Sequence, residues 1–142
     1  MNKNLLKLMV ACGTVCFLAC TTPQKVETEK WSERMARSEM KRFPEPWMIE
    51  KAKKPRWGYT HGLVVKSMLE AWKHTGDGTY YEYAKIYADS LIDADGHIKT
   101  MKYLSFNIDN VNGGKILFDL YAQTGDERYK IAMDTLRKQM AE

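Results

Sequence analysis

Thr75-Gly76-Asp77-Gly78-Thr79-Tyr80 recurs as Thr124-Gly125-Asp126-Glu127-Arg128-Tyr129, an offset of 49 residues. The likeness extends outward: Leu69-Glu70-Ala71-Trp72 stands opposite Phe118-Asp119-Leu120-Tyr121, and Ala84 falls on Met133, one place from Ala132. A repeat of this length suits a unit of two long helices. Leu63, Val64, Met68, Leu69 and Trp72 form an apolar stripe at helical spacing, with Ile116, Leu117, Leu120 and Tyr121 as its counterpart. Gly76 and Gly125 fall where a helix closes on a left-handed residue, and Asp77 and Asp126 are placed to cap the next helices. Those helices carry Tyr80, Tyr83, Ala84, Tyr87 and Leu91 in one unit, and Tyr129, Ala132, Met133, Leu136 and Met140 in the other. With an earlier helix over Trp31 to Arg42, the expectation is an all-α protein of about five helices.

Each unit's first helix is preceded by a polar-aromatic segment. One is Arg56-Trp57-Gly58-Tyr59-Thr60-His61-Gly62; the other runs from Phe106 through Asn107-Ile108-Asp109-Asn110 to Gly114. The 49-residue offset pairs His61 with Asn110 and Thr60 with Asp109. Units related by rotation would set Tyr59, His61, Asp109 and Asn110 around one mouth, where helix N-termini favour an anionic ligand. Ordinary structural roles compete: Asp109 could cap a helix, His61 could be a hydrogen-bonded packing residue, and Trp57 and Tyr59 could be core aromatics.

The composition bounds the function classes. In 142 residues, 44% are hydrophobic and 28% charged, which excludes a disordered tail and a multi-span membrane protein. Lys3 and Lys7 lie in residues 1–19 with no acid, leaving 20 basic against 18 acidic side chains, a net of +2. No basic stripe asks for nucleic acid. Cys12, Cys16 and Cys20 are the only cysteines, so residues beyond 20 can build neither a disulfide scaffold nor a cysteine metal site. Asp93-Ala94-Asp95-Gly96 lacks the remaining ligands of a calcium loop and predicts a turn. His74 and His97 have no partner at metal-ligand spacing, so no metal or other cofactor is expected. Gly113-Gly114 lacks the Gly-Lys-Ser/Thr of a phosphate loop, and Lys51 to Arg56 predicts a solvated loop.

The N-terminus predicts export. Lys3 and Lys7 precede an apolar run from Leu8 to Ala19, the length of a signal-peptide core and too short to span a bilayer. Phe17-Leu18-Ala19-Cys20 resembles a bacterial lipoprotein lipobox, with Phe17 in place of the usual Leu. That resemblance implies a signal peptide over 1–19, acylation of Cys20, a polar tether over 20–30 and a folded domain over 31–142, exported and anchored to a membrane.

Three segments then carry a family resemblance. Trp31-Ser32-x-Arg34-Met35-Ala36-x-Ser38-x-Met40-x-Arg42-x-Pro44, Trp57-Gly58-Tyr59-Thr60-His61-Gly62-Leu63 and Asn107-Ile108-Asp109-Asn110, in that order, resemble the start of glycoside hydrolase family 105. Its members include unsaturated rhamnogalacturonyl hydrolases and are similar to the unsaturated glucuronyl hydrolases. The resemblance implies an (α/α)6 toroid, present here as an incomplete ring of about two hairpins plus a leading helix. Six such units would need roughly 300 residues. It further implies hydration of the C4=C5 bond of a non-reducing unsaturated uronic acid on lyase-generated pectin oligosaccharides. Asp109 matches the family's first catalytic-site aspartate, and Tyr59 a pocket aromatic; Trp57, His61 and Asn110 are carried as further substrate-binding residues. The second carboxylate, in a Trp-x-Asp-Gly type motif, has no match in 31–142, so a truncated and inactive N-terminal fragment is expected. The alternative is a non-enzymatic helical-repeat lipoprotein that binds glycan or protein.

Overall fold

The computed structural model describes residues 30–141, in which six α-helices and two short 3-10 segments carry the chain. The signal peptide, the lipobox with Cys20 and nearly all of the tether lie outside the described residues. No helix among the described residues is long and apolar enough to cross a membrane.

Helix α1 (Trp31–Arg42) packs on α2 (Tyr59–Thr75), which forms a hairpin with α3 (Gly78–Leu91). The second hairpin pairs α5 (Lys115–Thr124) with α6 (Glu127–Ala141), and α5 is entered through the short α4 (Ile108–Gly113). The two hairpins meet where α2 packs against α4 and α5. This is the all-α architecture expected from the repeat, with α4 and α5 as separate helices where one was expected. The division falls at Gly114, where an added β-carbon would lie 2.5 Å from Leu136 Cδ1.

The repeated motif folds the same way twice. Gly76 and Gly125 close α2 and α5 in the left-handed region, at φ 74° and 66°, and each N–H returns to the helix at 2.8 Å, on Trp72 O and Tyr121 O. Thr75 Oγ1 donates back to Ala71 O as Thr124 Oγ1 does to Leu120 O. Asp77 Oδ1 then accepts the Thr79 N–H, and Asp126 Oδ1 the Arg128 N–H, both at 3.0 Å. Side-chain oxygens thus satisfy amides that a helix start leaves unpaired.

The core follows the predicted stripes except for a shift on α2 and for Met140 at the end of α6. Tyr80, Tyr83, Ala84, Tyr87 and Leu91 are all buried, as are Ile116, Leu117, Leu120, Tyr129, Ala132 and Leu136. Each large apolar side chain taken out of water contributes about 1.5–3 kcal/mol. On α2 the inward face is His61, Val65, Met68 and Leu69, whereas Leu63 is 53% exposed and Met140 on α6 also faces solvent. The shift arises because His61 and Gly62 are buried at the helix start and set its rotation.

Hydroxyls and one ion-pair cluster join the elements. Tyr83 Oη donates to Phe43 O at 2.7 Å and Tyr87 Oη to Arg56 O at 3.0 Å, holding the loop before α2 onto α3. Asp119 on α5 accepts from Lys66 and Lys73 of α2 at 2.5 and 2.8 Å, with Glu70 beside them. Asp93 to His97 form the expected turn, with Gly96 at φ 81° and a single antiparallel bridge between Ile92 and Ile98. The turn also brings ligand atoms of Asp93, Asp95 and His97 within 4.8 Å of one another, a proximity that sequence spacing did not suggest. Asp93 Oδ1 is already engaged there, accepting the N–H groups of Asp95 and His97.

Candidate active site

The starts of α2 and α4 enclose a cavity of about 180 Å³ lined by Arg56, Trp57, Gly58, Tyr59, Thr60, His61, Asn107, Asp109 and Asn110. The five candidate site residues named from sequence, Trp57, Tyr59, His61, Asp109 and Asn110, therefore meet at one place. A larger groove of about 620 Å³ runs between α1 and α2, floored by Met35, Ala36, Val64, Met68 and Ala71. Size favours the groove, but convergent polar groups mark a site better than volume does, and those lie in the smaller cavity.

Two glycines bring the walls together. A β-carbon on Gly62 of α2 would lie 2.5 Å from Gly113 Cα of α4, so the two backbones touch there. Gly113 is pressed in turn against the Trp57 indole, whose Nε1 donates to Asn110 O at 2.8 Å. The Trp57 N–H donates to Thr100 Oγ1 at 2.8 Å, and the Asn112 amide reaches Tyr59 O at 3.4 Å. Trp57 is thus buried and supports the site from behind, while Tyr59 is half exposed at its rim.

Asp109 does not cap its helix. Asn107 takes that role, its Oδ1 accepting the Asp109 N–H at 3.0 Å. The Asp109 side chain is therefore released from backbone duty and stands exposed in the first turn of α4.

His61 lies fully buried at the cavity floor, its Nε2 within 3.1 Å of Trp47 O. A carbonyl only accepts, so the proton sits on Nε2, and Nδ1 is left without a protein partner. Burial holds the imidazole pKa below its ordinary value against the pull of the Trp47 carbonyl. His61 and Trp57 each stack on Tyr87, with ring centroids 5.6 Å apart and planes within 16° of parallel.

Arg56, which sequence reading left in a solvated loop, joins the cavity wall and pairs with Glu50. Glu50 and Lys51 both adopt positive φ, 63° and 56°, directly after the buried Ile49. The Glu50 carboxyl lies below its usual range because Thr60 and Arg56 donate to it. Only the positive-φ reversal brings Glu50 to these partners, and nothing in the local sequence signals it.

Two α-hairpins with a polar cavity and an exposed carboxylate at their helix starts form part of an (α/α)6 toroid, the fold class of helical glycoside hydrolases. Residues 31–142 match the model of Glycosyl Hydrolase Family 88, and the chain belongs to that family. A solved structure of a family 105 glycoside hydrolase from C. acetobutylicum ATCC 824 is similar, at 30% identity and a TM-score of 0.68. The match covers 80% of this chain and 30% of that one, so this chain spans under a third of that enzyme's length.

Proposed function

We propose that this chain contributes the sugar-binding half of an unsaturated-uronyl hydrolase site, acting on lyase-generated rhamnogalacturonan oligosaccharides. The observation that supports it most is the gathering of Asp109, Asn107, Asn110 and Tyr59 in one cavity, with Asp109 freed from capping. Hydration of the vinyl ether places a proton on C4 and a water hydroxyl on C5 of the terminal uronic acid. The resulting hemiketal opens and the aglycone sugar is released. Such a step needs a proton donor and a second group that orients ring hydroxyls or water. Asp109 and the two asparagines suit the orienting role, since carboxylate and amide groups grip vicinal hydroxyls through paired hydrogen bonds. Asp109 is the one acidic residue lining the cavity among the described residues, so proton donation requires a further carboxylate.

That single acid also supports a second reading, a helical-repeat lipoprotein that binds glycan without turning it over. Incubating the chain with an unsaturated rhamnogalacturonan disaccharide tests what the two readings share, a sugar site at Asp109, and reads turnover separately, because hydration abolishes the ultraviolet absorbance of the double bond. Binding that Asp109→Asn abolishes, without turnover, is the expected result for the chain alone. Turnover would establish a complete site, and an absence of binding would sink both readings.

We further propose that the chain is exported and tethered to a membrane by acylation of Cys20. Fatty-acid labelling that Cys20→Ser abolishes, with release into the soluble fraction, is the expected outcome.

A further inference from the structure

The segment leading into α4 alternates in character. Asn107 and Asp109 line the cavity, whereas Leu104, Phe106 and Ile108 between and before them expose apolar side chains. Phe106 is 52% exposed, and its backbone is left-handed at φ 45° and ψ 40°. That region is uncommon for any residue but glycine and costly for a bulky one. Strain of this kind persists where surrounding structure enforces it, and it concentrates at ligand-binding positions. The Tyr103 ring packs beside Phe106, 6.5 Å between centroids and inclined by 50°, so the exposed ring is backed by a second aromatic. On the α2 side of the cavity Tyr59 is 49% exposed, its carbonyl bonded to Asn112 of α4. Two outward aromatic rings therefore belong to the two helix starts that enclose the polar cavity.

The cavity, at about 180 Å³, lies below the roughly 300–1,000 Å³ that drug-sized ligands occupy. It suits a single sugar ring, and the rest of an oligosaccharide must lie outside it. We propose that Phe106, with Tyr59, forms a platform for the neutral sugar next to the terminal uronic acid. A pyranose presents a face of C–H groups, and an aromatic ring removes that face from water. A 6-deoxyhexose fits best, because its C5 methyl replaces a hydroxymethyl and enlarges the apolar face. The inference rests on the cavity being the uronic acid site, and the two are tested by separate signals.

The full chain, labelled at backbone amides and at Phe and Tyr rings, is titrated by NMR with two ligands. One is the methyl glycoside of an unsaturated uronic acid; the other is the same uronic acid linked to rhamnose. Amides of Asp109 and Asn110 should shift with both, and the Phe106 ring with the disaccharide only. The disaccharide should bind between about three- and tenfold more tightly, the range of one aromatic contact. Phe106→Ala should abolish that advantage and Phe106→Tyr retain it. Phe106→Gly, which relieves the positive φ, should lose the advantage while melting no lower than the parent, separating lost contact from lost fold. Equal affinity for the two ligands, or an advantage that survives Phe106→Ala, overturns the platform and leaves the cavity intact. If Asp109 and Asn110 respond to neither ligand, the cavity reading fails, and the platform fails with it.

Discussion

The indole N–H of Trp57 donates to the backbone carbonyl of Asn110 at 2.8 Å, so the loop entering α2 directly holds the helix that carries Asp109. Trp57→Phe keeps the stack on Tyr87 but leaves that carbonyl unpaired. An unsatisfied buried acceptor costs about 1–3 kcal/mol, and this part-buried one falls at the lower end of that range. Urea denaturation should show a loss of that size, and an unchanged midpoint would show that the bond does not hold α4.

Gly62→Ala should be costly for another reason. Its methyl would meet the Gly113 backbone at 2.5 Å, which no rotamer change relieves. Overpacking of this kind costs about 1–3 kcal/mol. Gly78→Ala is the control, because a β-carbon there meets nothing within 4 Å, and alanine is the better helix former. Thermal unfolding should fall for the first variant and hold or rise for the second.

His61 makes stability depend on pH. Burial keeps its folded pKa below the unfolded value, with Glu50 drawing it up and Arg56 pressing it down as the charged groups nearby. A depressed pKa leaves stability full above the ordinary imidazole range and erodes it as pH falls, because only the unfolded chain then takes up the proton. The slope reaches at most about 1.4 kcal/mol per pH unit. Unfolding free energies measured between about pH 7 and pH 5 should therefore decline. His61→Phe should flatten that decline, and an unchanged slope would place the titrating group elsewhere.

Asp119 acts lower on the pH scale. Burial alone would raise its pKa, but hydrogen bonds from Lys66 and Lys73 outweigh burial and lower it. Its contribution is present above the ordinary carboxylate range and lost as pH falls through the lowered value. With its side chain 17% exposed, Asp119→Asn should cost about 1 kcal/mol near neutral pH and weaken the acid-induced loss. Denaturation midpoints at pH 7 and in the acid limb test both parts.

The two hairpins were legible from local chemistry that recurs. Gly76 with Asp77 and Gly125 with Asp126 each encode a stop and a restart through backbone sterics and one side-chain oxygen, so no distant contact is needed. The convergence of Tyr59 with Asp109 followed from the same offset. Leu63 was misplaced because its exposure depends on the rotation of α2, which buried His61 and the Gly62–Gly113 contact set through tertiary packing. Arg56 was missed for a related reason: its partner Glu50 reaches it only through a reversal at two non-glycine residues, where local propensity points elsewhere. Asn107 stands two residues before Asp109, and only the observed bond decides which of the two caps α4.

Gly78 opens a practical route into this molecule. It sits at the Gly76 turn, the far end of a 17-residue helix from the cavity, a separation of about 25 Å. No cysteine follows Cys20, so Gly78→Cys would give the folded region a single thiol. A dye attached there would report tumbling and self-association while leaving the cavity end untouched.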